Sequence, residues 1–199
     1  MSGGGLDITP LRIGDVLLIR PRRLSDARGF FAEMWNKRTY SDAGITTDFV
    51  QDNCSFSRSP GTIRGLHFQY APAAQTKLVR VVRGSVFDVA VDLRSDSPTF
   101  GAFVSAELTA SGGEQLLIPA GFAHGFCTLE ADTEVAYKVS DFYAPDLDAG
   151  IVWNDPDISV DWPLDGRTPV LSDKDLKLPR LADIRTSLQK VAVADVVGE

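Results

Sequence analysis

Histidine is nearly missing from this 199-residue sequence: His67 and His124 are the only two. A metal centre built on three histidines is therefore excluded. Cysteine is as scarce, with Cys54 and Cys127 alone, too few for a disulfide framework, and each lies in an apolar run that predicts a buried free thiol. Basic charge is in deficit: 20 Lys and Arg against 27 Asp and Glu give a net charge of -7. That balance argues against binding nucleic acid through phosphate neutralisation. No apolar stretch is long enough to span a bilayer, and Met1–Gly5 has neither the charged nor the apolar segment of a secretory signal, so the expectation is a cytoplasmic protein with no membrane association.

What is present is a succession of short alternating or apolar runs punctuated by Gly, Pro, Asp and Ser. They cover 16–21, 29–35, 49–57, 63–69, 77–83, 85–93, 100–108, 114–118, 122–129, 133–139 and 151–153. Gly84 predicts a hairpin turn, because glycine adopts positive φ at little steric cost. After it, Phe87, Val89, Val91 and Leu93 share one strand face, while Asp88, Ala90 and Asp92 share a polar one. Short helices are expected at Lys37–Ala43 and Leu181–Val191. The fold class is all-β, a jelly-roll barrel or sandwich with a few short helices, forming one domain over residues 1–199.

Both histidines sit between glycine and aromatic residues, in Arg64-Gly-Leu-His67-Phe-Gln69 and Gly121-Phe-Ala-His124-Gly-Phe126. Histidine is the side chain whose ordinary pKa lies nearest neutrality, so both are candidates for proton transfer. His67 and Gln69 share strand parity and face one side. From the residues alone, a hydrogen-bonded core histidine is an equal alternative at His67, Tyr137 reads first as an ordinary strand aromatic, and Lys77 has the alternative of a solvated strand lysine.

Several motifs taken together resemble the dTDP-4-dehydrorhamnose 3,5-epimerase family. Besides the two histidine motifs they are Asp26-Ala-Arg28-Gly-Phe-Phe31, Val50-Gln-Asp-Asn53, Lys77-Leu-Val-Arg80, Phe87-Asp-Val-Ala-Val-Asp92, Ser97-Pro-Thr-Phe-Gly101 and Trp153-Asn-Asp155. The likeness covers about residues 12–176 and leaves a C-terminal tail, 177–199, outside it. The resemblance implies a cupin-type jelly roll, usually a homodimer, acting without metal or redox cofactor. It implies dTDP-4-dehydro-6-deoxy-D-glucose as substrate, inverted at sugar carbons 3 and 5.

The same resemblance assigns roles. His67 is the base, oriented by Asp175; Tyr137 is the proton donor on the opposite face; Lys77 and His124 lie near the sugar oxygens. Arg28, Glu33, Gln51, Asn53 and Arg64 fall at nucleotide-contacting positions, Tyr143 at an aromatic that stacks on thymine, and Lys174 beside the diphosphate. Asp148 is a ligand contact that stands where the family pattern often carries glutamate. Strand parity further suggests that Asp88 pairs with Lys77. Two other functions stay open: an epimerase of a related 4-keto sugar that inverts one carbon only, and a non-catalytic or metal-binding cupin that holds a sugar.

Overall fold

A computed structural model describes residues 5–188. The strands are β1 (Leu6–Pro10), β2 (Leu17–Pro21), β3 (Arg23–Asp26), β4 (Gly29–Ala32), β5 (Gln51–Ser57), β6 (Ile63–Gln69), β7 (Lys77–Arg83), β8 (Ser85–Asp92), β9 (Phe103–Thr109), β10 (Gln115–Ile118), β11 (Phe122–Thr128), β12 (Thr133–Val139) and β13 (Asp148–Gly150). Helix α1 covers Lys37–Asp42, a 3-10 turn covers Asp175–Lys177, and α2 covers Leu181–Ile184.

Two antiparallel sheets face one another in the cupin-type arrangement. The first runs β1-β2-β10-β7-β12-β5 and the second β13-β6-β11-β8-β9, while β3 and β4 form a separate ribbon. Between the sheets lies a core of Val79, Val81, Leu116 and Val135 from the first and Val86, Ala90, Phe122 and Phe126 from the second. A further apolar layer covers the back of the second sheet, where Leu66, Phe68, Val89 and Val91 pack against Ile151, Trp162, Leu181 and Leu188. The second sheet is thus buried on both faces. The polar face of β8 is therefore not open to solvent: its Asp88, Ala90 and Asp92 face the interior of the sandwich and are fully buried.

Most expected runs are strands, and the exceptions have local causes. β3 was not anticipated because Arg23-Leu24-Ser25-Asp26 has an exposed, polar pattern; it forms by pairing with β4 across the Asp26–Gly29 turn. Residues 151–153 are not a strand. Regular pairing ends at Gly150, although Ile151 and Leu66 still exchange two backbone hydrogen bonds, of 2.8 and 3.1 Å. The run expected from residue 100 begins at Phe103, because the preceding turn closes back on Asp92 through Gly101 N–H (2.8 Å). Helix α1 starts where Asn36 caps it, accepting from the Arg38 and Thr39 amides. The helix expected at Leu181–Val191 covers only Leu181–Ile184, and positions 189–191 lie outside the described residues. Cys54 departs from expectation too: it is exposed, because β5 turns Gln51, Asn53 and Ser55 inward, whereas Cys127 is buried and its thiol pushed up to about 11 by burial. Both cysteines are free.

Candidate active site

A cavity of about 640 Å³ opens between the sheets at the end where β5, β6, β7, β11 and β12 meet the segments 141–148 and 170–175. Its shape depends on a close backbone approach. The register of β6 on β11 shifts between the pairs His124–His67 and Phe126–Arg64, a bulge that turns both Arg64 and His67 towards the cavity. Glycine is required there. Gly65 has φ of 131°, and a Cβ on it would fall 2.5 Å from the Gly125 Cα.

The two histidines are directly opposite in the β6–β11 register, yet their surroundings differ. His67 Nε2 bonds Asp175 Oδ1 at 2.6 Å, and the imidazole is about one-third exposed (31%) to the cavity. Asp175 is delivered from the 3-10 turn, where the Ser172 hydroxyl accepts from its backbone amide. Burial pushes the Asp175 carboxyl up, but the His67 hydrogen bond and charge, Ser172 and the Gly65 amide outweigh it and hold the group below its ordinary value. Its carboxylate fixes the ring and leaves Nδ1 for a substrate. His124 Nε2 instead meets both oxygens of Asp88, at 2.9 and 3.0 Å, with both residues buried. The expected Asp88–Lys77 pairing is therefore corrected. Parity put Asp88 on the right face, but the adjacent strand β11 supplies the partner.

Across the cavity, the first sheet contributes Tyr137 from β12 and Lys77 from β7. Burial pushes the Tyr137 phenol up, Arg64 opposes that, and Asp148 and Cys54 add to it; the net rise keeps the hydroxyl protonated at neutral pH. Lys77 is buried and pushed down to about 8 by that burial, against the opposing pull of Asp148 and Asp88. Its ammonium donates to the His67 carbonyl at 3.3 Å, so it reaches from the first sheet to the second. A proton acceptor on one wall, a donor on the other and a buried cation between them can form an enolate and protonate it from the opposite face.

The mouth is lined by charged and aromatic groups. Arg64 is held by Ser57 Oγ (3.1 Å) and the Phe56 carbonyl (2.8 Å). Asp148 accepts from the Tyr143 hydroxyl at 3.1 Å and from the Lys174 ammonium, which joins the segments on either side of the opening. Gln51 and Asn53 line the same end and bond one another at 2.8 Å. Of the residues assigned from the sequence, eleven line this cavity; Arg28 and Glu33 do not. Arg28 is exposed at the β3–β4 turn and pairs with Asp26 at 2.6 Å, while Glu33 accepts from Asn36 (2.9 Å) and Thr39 (2.8 Å) beside α1. Sequence reasoning missed Ser172 and the Gly65 amide, which hold Asp175 through contacts that only the fold creates. Among the described residues, no group of three or more His, Cys, Asp or Glu is arranged to hold a metal ion, and no helix is long and apolar enough to cross a membrane.

Comparison with known proteins points to one family. A family model described as dTDP-4-dehydrorhamnose 3,5-epimerase matches residues 10–183, further in both directions than the motifs suggested. The chain is 50% identical to the dTDP-4-dehydrorhamnose 3,5-epimerase of Sinorhizobium fredii over 200 residues, covering 97% of this chain and 100% of that protein. Among solved structures it is similar to the Bacillus anthracis enzyme of the same name with TDP and PPi bound, at 49% identity and a TM-score of 0.86, covering 89% of this chain and 100% of that one. It is similar as well to a dTDP-6-deoxy-D-glucose-3,5-epimerase of Legionella pneumophila in complex with dTDP-4-keto-L-rhamnose, at 43% identity and a TM-score of 0.89, covering 95% and 100%.

Proposed function

The chain belongs to the dTDP-4-dehydrorhamnose 3,5-epimerase family, and from that premise we propose that it converts dTDP-4-dehydro-6-deoxy-D-glucose to dTDP-4-dehydro-L-rhamnose by proton transfer. The observation that carries this reading is the His67–Asp175 pair on one sheet facing a cavity whose other sheet supplies Tyr137. Carbons 3 and 5 of the sugar both flank the ketone at carbon 4. His67 removes the proton from one of them, and the bonding electrons move onto the carbonyl oxygen to give an enolate. Lys77 and His124 stabilise that oxygen, an effect worth about 3 kcal/mol for a well-aimed donor. Tyr137 then protonates the same carbon from the opposite face, which inverts it. Each inversion leaves His67 protonated and Tyr137 ionised, and exchange with solvent through the open mouth resets both before the second carbon reacts.

Arg64 and Lys174 bind the diphosphate through charge-assisted hydrogen bonds, Tyr143 stacks on the thymine, and Gln51, Asn53 and Asp148 complete the nucleotide end. The chain acts as a single jelly-roll domain, a reading supported by the packing of Leu181 and Leu188 against the second sheet. It works as a homodimer. Support comes from the β3–β4 ribbon, which leaves Leu24, Phe30 and Phe31 more than half exposed and calls for an apolar cover. Arg28 and Glu33, which do not line the chain's own cavity, then act at the nucleotide in the second copy. The free thiols accord with a cytoplasmic setting.

The test is to incubate the protein with the 4-keto sugar nucleotide and a rhamnose-forming 4-reductase in D2O. dTDP-L-rhamnose carrying deuterium at carbons 3 and 5 is the expected product. Deuterium at one carbon only would identify a single-carbon epimerase, and no exchange at either would indicate a sugar-binding protein.

A further inference from the structure

Tyr143 sits at the cavity mouth on the segment Asp141–Ala144, which leaves the sheet after β12 ends at Val139. The residue is 59% exposed, and that exposure makes its placement a problem: a platform on a free loop would lose conformational freedom each time a base stacked on it. The backbone around it is not free. Gln75 Nε2 donates to the Asp141 carbonyl at 2.8 Å, and Gln69 Nε2 donates to the Phe142 carbonyl at 3.2 Å. The Tyr143 amide donates to Gln51 Oε1 at 3.1 Å, and the Ala144 amide donates to Gln69 Oε1 at 2.9 Å.

Three of the five glutamines in the sequence thus replace the missing strand ladder over four consecutive residues. Gln69 is the centre of the set. It is buried, and its second amide hydrogen goes to the Ala73 carbonyl at 2.7 Å. With both N–H donors used on backbone and its oxygen accepting from Ala144, this side chain is committed to the protein rather than to a ligand. Such a group acts through what it holds.

We propose that Gln69 and Gln75 are positioning residues for nucleotide binding. They clamp the backbone on both sides of Tyr143 so that its ring is set in the stacking orientation before the nucleotide arrives, and Gln51 contributes through the Tyr143 amide. The inference rests on the reading of Tyr143 as the nucleobase platform. It assigns to Gln69 a function that its strand parity with His67 alone does not reveal: one residue of β6 works on the sugar, and the next residue on that face fixes the base.

Calorimetric titration with dTDP tests the clamp, using Gln69→Met, Gln75→Met, Tyr143→Ala and the two double variants. Methionine keeps the length of the side chain and removes its hydrogen bonds. Tyr143→Ala should weaken dTDP about tenfold, in line with the usual worth of base–aromatic stacking. Gln69→Met should weaken it about fivefold while kcat at saturating substrate stays within about twofold, a preorganisation loss that appears in binding and KM. In the Tyr143→Ala background the added loss should shrink below about twofold, because the residues act through one another. Gln75→Met, at a half-buried position, should show about threefold loss with the same collapse. Equal losses in both backgrounds, unchanged affinity in both glutamine variants, or a fall in kcat without a change in affinity would overturn the clamp. Unchanged affinity in Tyr143→Ala would instead overturn the platform reading, and the clamp with it.

Discussion

His67 and His124 are cross-strand neighbours on β6 and β11, each with an aspartate on Nε2, and they part company in how the aspartate is reached and how much water the ring meets. Asp88 lies on the next strand of the same sheet, so its pair with His124 is completed inside the sandwich, with both residues buried. Asp175 is 108 residues from His67 and arrives on a separate turn, leaving the imidazole partly open to the cavity. A base must take a proton from substrate and return it to solvent; a fixed donor need only hold an oxygen in place. On the proposed reading, the same residue pair is a proton-transfer device where the ring is open to the cavity and a structural and electrostatic one where it is buried.

The sharpest way to break this contrast is His67→Ala. Turnover should fall on the order of 10⁴-fold, the upper range for a positioned general base, while circular dichroism and the melting temperature stay near wild type. Next comes Tyr137→Phe, with about a 10²-fold loss of epimerised product but measurable exchange of substrate hydrogen with solvent, since His67 still forms the enolate. Unchanged product yield would remove Tyr137 from the acid role.

Removing the two aspartates separates the pairs by stability. Asp88→Ala leaves a buried imidazole without its partner and should cost about 3 kcal/mol in urea unfolding. Asp175→Ala, whose histidine can turn to solvent, should cost about 1 kcal/mol yet slow turnover more than the fold is weakened. Equal stability losses would end the comparison.

The smallest effect is in pH. Burial pushes Lys77 down to about 8, so the cation proposed to stabilise the enolate is lost as pH rises through that value, and kcat should decline by about tenfold per pH unit above it. Stability moves the other way. Because burial lowers the folded-state value below the 10.5 of an ordinary lysine, the unfolded chain binds more protons between about 8 and 10.5, and this group adds stability across that window. A rate decline in alkali without unfolding is the expected signature, and Lys77→Met should abolish it.

The order of strands β5 to β12 was legible because each is a short run with a turn residue at its end, whereas the close approach of β6 to β11 at Gly65 was not read from the sequence. Parity put His67 and Gln69 on one face and Asp88 on the polar face of β8. It could not say which strand lies beside β8, so the partner of Asp88 was misassigned: β11 brings His124 to it within the same sheet. Asp175 and Lys174 come from an irregular segment, and only the motif resemblance pointed to them. Gln69 and Gln75 left no local trace, because their partners are backbone groups of a loop 66 to 75 residues away.

The most direct test of the central claim follows solvent deuterium into the sugar with wild-type protein and with His67→Ala. The account predicts deuterium at carbons 3 and 5 with the first and at neither with the second. Exchange at either carbon at near-normal rate in His67→Ala would contradict it.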